Sequence, residues 1–76
     1  MNSRTGSTEA IYDELRRIEG EVVQGERQLA EQEGRLVALE RQNEDTSKVR
    51  EELELMRAHQ REREQQRQHL LYLLRR

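Results

Sequence analysis

The feature that most constrains this chain is a ladder of mainly apolar residues in its first half. The steps of the ladder alternate between four and three residues, and it comprises Ile11, Leu15, Ile18, Val22, Gly25, Leu29, Gln32, Leu36 and Leu39. Alternating steps of three and four place successive residues on one side of an α-helix, as in the heptads of helices that pack side by side. The first half of the chain is therefore predicted to be one long amphipathic helix.

The second half has the same periodicity in a different phase. If the first ladder continued, Arg50 and Arg57 would lie on the apolar side, whereas the apolar residues there are Val49, Leu53 and Met56. The phase changes within residues 42–48. A helix that continued through this segment would have to move its apolar side around the helix axis. We therefore expect an interruption between the two periodic segments.

Residues that favour helix starts are concentrated at this phase change. Asp45, Thr46 and Ser47 are all good N-cap residues, and a periodic segment begins directly after them. We predict an all-α antiparallel two-helix hairpin with helices at 8–42 and 47–74, a turn at 43–46 and a disordered tail at 1–7. The alternative is a single helix of about 67 residues in a parallel coiled coil, since no Gly or Pro interrupts the chain at the phase change.

A hairpin would bring the two ends of the periodic region together. The apolar run 70–74 (LLYLL) would then pack against the residues Ile11, Tyr12, Leu15 and Ile18. Between the turn and this open end, residues 59–69 contain no hydrophobic residue and would face residues 20–28, which are also poor in apolar groups. Contact with an external helix or a membrane surface is the competing explanation of the apolar run, and we regard membrane binding as unlikely because the run is short.

Two helices cannot cover their apolar stripes on both sides. We therefore predict that the chain forms a homodimer, giving a four-helix bundle, or binds another helical protein. The predicted core and interaction residues are Ile11, Leu15, Ile18, Val22, Leu29, Leu36, Leu39, Val49, Leu53, Met56, Leu70, Leu71 and Leu74. The predicted function is protein–protein interaction, as a structural or adaptor module.

The charge distribution also favours pairing of the two halves. Residues 1–45 carry six Arg against eleven Asp and Glu, a net charge of −5, while residues 46–76 carry eight Lys and Arg against five Glu, a net charge of +3. Opposite net charges steer the halves towards each other within or between chains. Each exposed pair contributes only about 0–1 kcal/mol, so this effect guides more than it stabilises.

Catalysis and metal binding find little support in the sequence. The 76 residues contain no Cys, and only 32% of them are hydrophobic, which is too few to enclose a substrate pocket. His59 and His69 are ten residues apart, about 15 Å along one helix, so they cannot share a metal ion. Neighbouring carboxylates such as Glu51 and Glu52 lack a cleft that would shift their pKa values. We expect no enzyme activity, no cofactor and no metal.

Arginines in the second helix suggest a different kind of partner. Arg57, Arg61, Arg63 and Arg67 could contact an anion such as a phosphate group. Glu62 interrupts this patch, and the chain as a whole has an acidic pI of about 5.7. Nucleic-acid binding through the Arg-rich helix is therefore the alternative function, and we regard it as unlikely. The absence of a signal-peptide pattern and of a long apolar run predicts a cytoplasmic location.

Part of the chain resembles a known group of proteins. Residues 25–33 (GERQLAEQE), residues 39–41 (LER) and the Asp45-Thr46 pair before a leucine-rich helix are similar to a family of short, uncharacterised helical proteins of soil alpha-proteobacteria. Members of that family commonly have a glycine just before the Asp-Thr pair, where this chain has Asn43 and Glu44. The resemblance implies a coiled-coil hairpin and a bacterial origin, and it implies no activity. Asn43 can supply the left-handed backbone geometry that the glycine would give.

Overall fold

The protein is a hairpin of two antiparallel α-helices, described here from a computed structural model. Residues 3–75 are described, with side chains from residue 8 onward. Helix α1 spans Ser3–Arg41 and helix α2 spans Ser47–Arg75. The chain measures 63 × 16 × 14 Å, and the long dimension is close to the length of α1 at about 1.5 Å per residue. The hairpin predicted from the phase change is confirmed, and the continuous rod is wrong.

The helix bounds differ from the predicted ones mainly at the start of α1. The sequence placed this start at position 8, after a disordered tail, whereas α1 begins at Ser3. Adding a residue to an existing helix fixes one residue for one hydrogen bond, so a helix extends readily until a residue stops it, and Gly6 disfavours a helix without breaking it. Residues 1 and 2 of the predicted tail lie outside the described residues. The end of each helix differs by one residue from its predicted position, and α2 begins at the predicted Ser47.

The turn is set by a left-handed residue at the end of α1. Asn43 has φ of 54°, and it is the only non-glycine residue with positive φ in the described range 3–75. The N–H of Asn43 donates to the carbonyl of Glu40 at 3.1 Å, and the N–H of Glu44 donates to the carbonyl of Leu39 at 3.0 Å. These two bonds form a Schellman motif, which satisfies carbonyls that the end of a helix leaves unpaired. Asn43 occupies the left-handed position of this motif, at which glycine is the commonest residue.

The start of α2 is capped by Asp45 and Thr46, which follow the left-handed Asn43. Thr46 is the N-cap, because its carbonyl accepts the first helical bond from the N–H of Arg50 at 2.9 Å. The Asp45 carboxylate accepts from the Ser47 hydroxyl at 2.6 Å and from the Ser47 N–H at 3.0 Å. Ser47 thereby holds the pKa of Asp45 below its usual range, chiefly through the hydroxyl and then through the backbone bond. The cap residues at the phase change are thus the ones that end the turn.

The two helices meet along a continuous line of buried and half-buried residues, which we call the seam. On α1 the seam is the whole ladder from Ile11 to Leu39, including Gly25 and Gln32. On α2 the seam follows the same alternation of three and four and comprises Thr46, Val49, Leu53, Met56, Gln60, Arg63, Arg67, Leu70 and Leu74. Every one of these positions is buried or half-buried, so the periodicity of α2 passes unbroken through its polar middle.

Ion pairs beside the seam link the acidic helix to the basic one. In each pair a glutamate of α1 meets an arginine of α2: Glu40 with Arg50 at 2.8 Å, Glu33 with Arg57 at 3.3 Å, Glu21 with Arg63 at 3.8 Å and Glu19 with Arg67 at 3.6 Å. Their side chains are partly or largely exposed, so each pair adds little stability. Their consistent direction agrees with the opposite net charges of the two halves.

Candidate interaction surface

The residues predicted as core all lie on the buried side of the hairpin. Five are buried, namely Leu15, Ile18, Val49, Leu53 and Leu70. The others are half-buried, namely Ile11, Val22, Leu29, Leu36, Leu39, Met56, Leu71 and Leu74. Ile18 and Leu53 are the most completely enclosed, at 0% and 1% exposure. The hairpin therefore brings every predicted core residue to the contact between its helices but fully covers fewer than half of them.

The open end of the hairpin is closed by an apolar cluster. Leu15, Ile18 and Leu70 form its buried centre, and the half-buried residues packed against it are Ile11, Val22, Leu71, Leu73 and Leu74. Tyr12 was expected in this cluster, but its side chain is 50% exposed. Tyr12 follows Ile11 by one residue, which turns it about 100° around the helix axis and away from α2.

The middle of the seam is occupied by a glutamine that the sequence analysis did not single out. Gln60 is buried, with 7% exposure, and it lies against the buried Gly25. Its Nε2 atom donates to the carbonyl oxygen of Val22 at 2.8 Å. The available signal was the spacing itself, since continuing the steps of three and four beyond Met56 arrives at position 60.

The four arginines proposed for anion contact are mostly engaged within the hairpin. Arg57, Arg63 and Arg67 form ion pairs with glutamates of α1, and Arg63 also donates to Gln60. Arg61 is exposed and forms no ion pair within the described part of the chain. It lines a shallow, open depression with Glu64 and Gln65. Nucleic-acid binding by these arginines stays a prediction, and phosphates would have to compete with the glutamates for three of the four.

The described residues contain neither a metal-binding cluster nor a membrane-spanning helix. Across residues 3–75 no group of three or more His, Asp or Glu side chains could hold a metal ion. Neither described helix is long and apolar enough to cross a membrane. His59 and His69 are both exposed on α2.

The outer side of α1 carries a second apolar line, which we call the outer stripe. Its members are Tyr12, Val23, Ala30 and Val37, which the structure leaves exposed. Tyr12, Val23 and Val37 have exposures of 50%, 54% and 44%, and they are all of the exposed large hydrophobic residues on α1 within the described side chains. Successive residues of a helix are rotated by about 100° around its axis, so the four side chains point within about 40° of one another. Their common direction is roughly 110° around the axis of α1 from the seam. The outer stripe thus faces solvent along most of the helix.

Comparison of the chain with protein-family models, with curated proteins and with solved structures found no match. The resemblance to short bacterial helical proteins therefore stays a prediction from the sequence.

Proposed function

We propose that the protein acts by binding another helical surface, as a structural or adaptor module without catalytic activity, and that its partner is a second copy of this chain. The observation that carries the proposal is the outer stripe. Exposed apolar residues scattered over a surface need no explanation, whereas a line of them along one side of a helix is typical of a contact with another helix. A cytoplasmic location stays a prediction of the sequence.

Charge beside the outer stripe supports a second copy as the occupant. The flank nearer the seam is acidic and carries Glu19, Glu26 and Glu33. The opposite flank carries Arg16, Arg27 and Arg41 against Glu9, so it is basic in sum. In the single hairpin Glu19, Glu33 and Arg16 already form ion pairs, so the flank charges left for a partner are chiefly Glu26, Arg27 and Arg41. In a parallel pair of helices, each flank of the contact meets the opposite flank of the partner. Two copies of α1 in parallel would therefore place the acidic flank of each beside the basic flank of the other.

This arrangement has a two-fold axis along the length of the hairpin and contains four helices. Like residues of the stripe would meet across the axis, for example Val23 with its counterpart. Ala30 at the centre of the stripe is small, so it would allow the two helices to approach closely.

The end of α2 carries further exposed apolar surface, separate from the outer stripe. Residues 70–74 are all apolar, and α1 covers only one side of them. Leu70 is buried as a result, Leu71 and Leu73 are half-buried, and Tyr72 is 59% exposed. A helix end that is hydrophobic all round is stable when more than one neighbour covers it. Tyr72 lies about 200° around the helix from Leu70, on the side of α2 that faces away from α1, so a hairpin docked on the outer stripe would leave it exposed.

The proposal is tested by the mass of the chain in solution. Sedimentation equilibrium across a concentration series should give twice the 9.2 kDa mass of one chain for the wild type. Val23→Lys and Val37→Lys should be monomeric with unchanged helicity, because both side chains are exposed and neither lies in the seam. The matched control is Leu55→Lys, at a position on α2 that is 62% exposed and outside the stripe, and it should remain dimeric.

Two results would contradict the proposal. A wild-type chain that stays monomeric up to millimolar concentration excludes a second copy as the partner. Stripe variants that dimerise like the wild type, or a Leu55→Lys control that loses the dimer equally, would show that the outer stripe is not the contact.

A further inference from the structure

The middle of the seam contains a buried polar contact whose groups are all satisfied. Gln60 is the one polar side chain that is buried in the described part of the chain. Its Nε2 atom donates to the Val22 carbonyl across the seam, and its Oε1 atom accepts from Nη1 of Arg63 at 3.2 Å. A carbonyl oxygen has two lone pairs, so Val22 can accept this bond besides its own helical bond. The contact therefore leaves no buried side-chain polar atom unpaired among the described residues.

Gly25 provides the space for this contact. A Cβ atom at position 25 would overlap Oε1 of Gln60 and would lie 2.8 Å from its Cδ atom and 2.9 Å from Nη1 of Arg63. The other two glycines of α1 with described surroundings are different, because a Cβ atom at Gly20 or at Gly34 would meet nothing within 4 Å. Of these three, position 25 is the one at which an added Cβ atom would force the side chain opposite it to move.

We propose that Gln60, seated on Gly25, determines the register in which α2 pairs with α1, and that it selects this hairpin over other pairings of the same helices. A single buried polar residue at a seam position can specify register and partner in this way, because the wrong pairing leaves it without a hydrogen-bond partner. The proposal concerns how α1 and α2 pair along the seam and does not depend on a second copy binding the outer stripe.

Other pairings would lose this contact. In a parallel, in-register pair of chains Gln60 would face Gln60, and Gly25 would face Gly25 and leave a void. Arg63 and Arg67 would each face the same arginine, which places like charges together in the seam. A shift of α2 by one heptad in the antiparallel direction would bring Gln60 opposite Ile18 or Gln32, where a side chain occupies the space that Gly25 leaves open.

The first test compares three glycine substitutions in one helix. Gly20→Ala and Gly34→Ala should raise the folding equilibrium constant by about twofold to fivefold each, since alanine favours a helix and the space is open. Gly25→Ala should lack this gain, because the new methyl group displaces the Gln60 amide. The double variant Gly25→Ala/Gln60→Ala should have a higher folding equilibrium constant than Gln60→Ala alone, because the amide that clashes with the methyl group is then absent. A Gly25→Ala gain equal to that of the two controls would overturn the proposal.

The second test asks whether pairing becomes ambiguous without the amide. Gln60→Leu replaces the polar side chain by an apolar one of similar size, so the protein should fold at least as readily as the wild type. The proposal predicts more than one set of backbone amide resonances, or a mixture of masses, where the wild type gives one. A single set of resonances with wild-type cross-helix proton contacts would show that the register is set elsewhere, and the proposal would be wrong.

Discussion

The two helices are held together by different interactions at the open end of the hairpin and in the middle of its seam. At the open end Leu15, Ile18 and Leu70 exclude water, and any apolar side chains of similar size would do the same. In the middle, Gln60 makes a directional hydrogen bond to Val22 over a glycine. Apolar burial gives most of the stability and tolerates alternatives, whereas the polar contact adds little net stability and tolerates few.

The largest expected effect on the free energy of unfolding comes from the apolar cluster at the open end. Ile18→Ala should lower the free energy of unfolding by about 2–4 kcal/mol, because Ile18 is fully buried and the helices cannot close the gap completely. Urea unfolding followed by circular dichroism at 222 nm measures this. Leu55→Ala, at a position on α2 that is 62% exposed and outside the outer stripe, is the control and should change stability by less than about 0.5 kcal/mol. Equal losses in both variants would mean that the open end is not the core.

The turn is a second constraint on register, and its variants separate it from the Gln60 contact. Asn43→Ala should lower the free energy of unfolding by about 1 kcal/mol, because alanine carries a Cβ atom into a left-handed conformation without the polar side chain that helps Asn adopt it. Asn43→Gly should be neutral or stabilising. Both variants should keep a single set of amide resonances if Gln60 sets the register. Loss of that single set in Asn43→Ala would assign the register to the turn.

Lowering the pH should weaken the turn before it weakens the apolar contacts of the seam. The folded-state pKa of Asp45 lies below its unfolded value of about 3.9. Its contribution to stability is therefore complete above that unfolded value and is lost as the pH falls through the lower folded value. Asp45→Asn keeps an acceptor oxygen and removes the titration. Unfolding curves between neutral and strongly acidic pH should show a smaller loss of stability in this variant than in the wild type, and identical pH profiles would contradict the assignment.

The smallest expected effect belongs to the ion pairs beside the seam. A double-mutant cycle on Glu33 and Arg57 should give a coupling free energy of about 0.2–1 kcal/mol that shrinks as salt is added, because both side chains are largely exposed. Denaturation of the two single variants and the double variant at low and high salt measures it. A coupling above about 2 kcal/mol that salt leaves unchanged would mean that charge pairing, and not Gln60, dominates specificity.

Much of the fold could be predicted because separate signals agreed. The phase change of the apolar ladder and the cap residues at 45–47 pointed to the same turn, and opposite net charges pointed to halves that lie side by side. Gln60 was missed because a glutamine within residues 59–69 has the composition of a solvated surface, and only the spacing shows that it faces α1. Its role depends on Gly25, which lies 35 positions earlier, and no local pattern connects the two.

The start of α1 and the position of Tyr12 could not be predicted for similar reasons. Helix ends depend on small differences in free energy between adding one more residue and stopping, so boundaries are less determined than the helices themselves. Tyr12 is adjacent to the ladder, and composition alone does not distinguish an aromatic residue in the cluster from one on the outer stripe. Its place became clear from the alignment with Val23 and Val37.

Small-angle X-ray scattering on the intact chain tests the central claim most directly, because mass and maximum dimension come from one measurement. Two hairpins side by side on the outer stripe should give about twice the 9.2 kDa chain mass with a long dimension near the 63 Å of a single hairpin. A particle about 100 Å long, the length of one uninterrupted helix, would contradict the hairpin. A single-chain mass with the short dimension at every concentration would leave the hairpin standing and contradict its self-association.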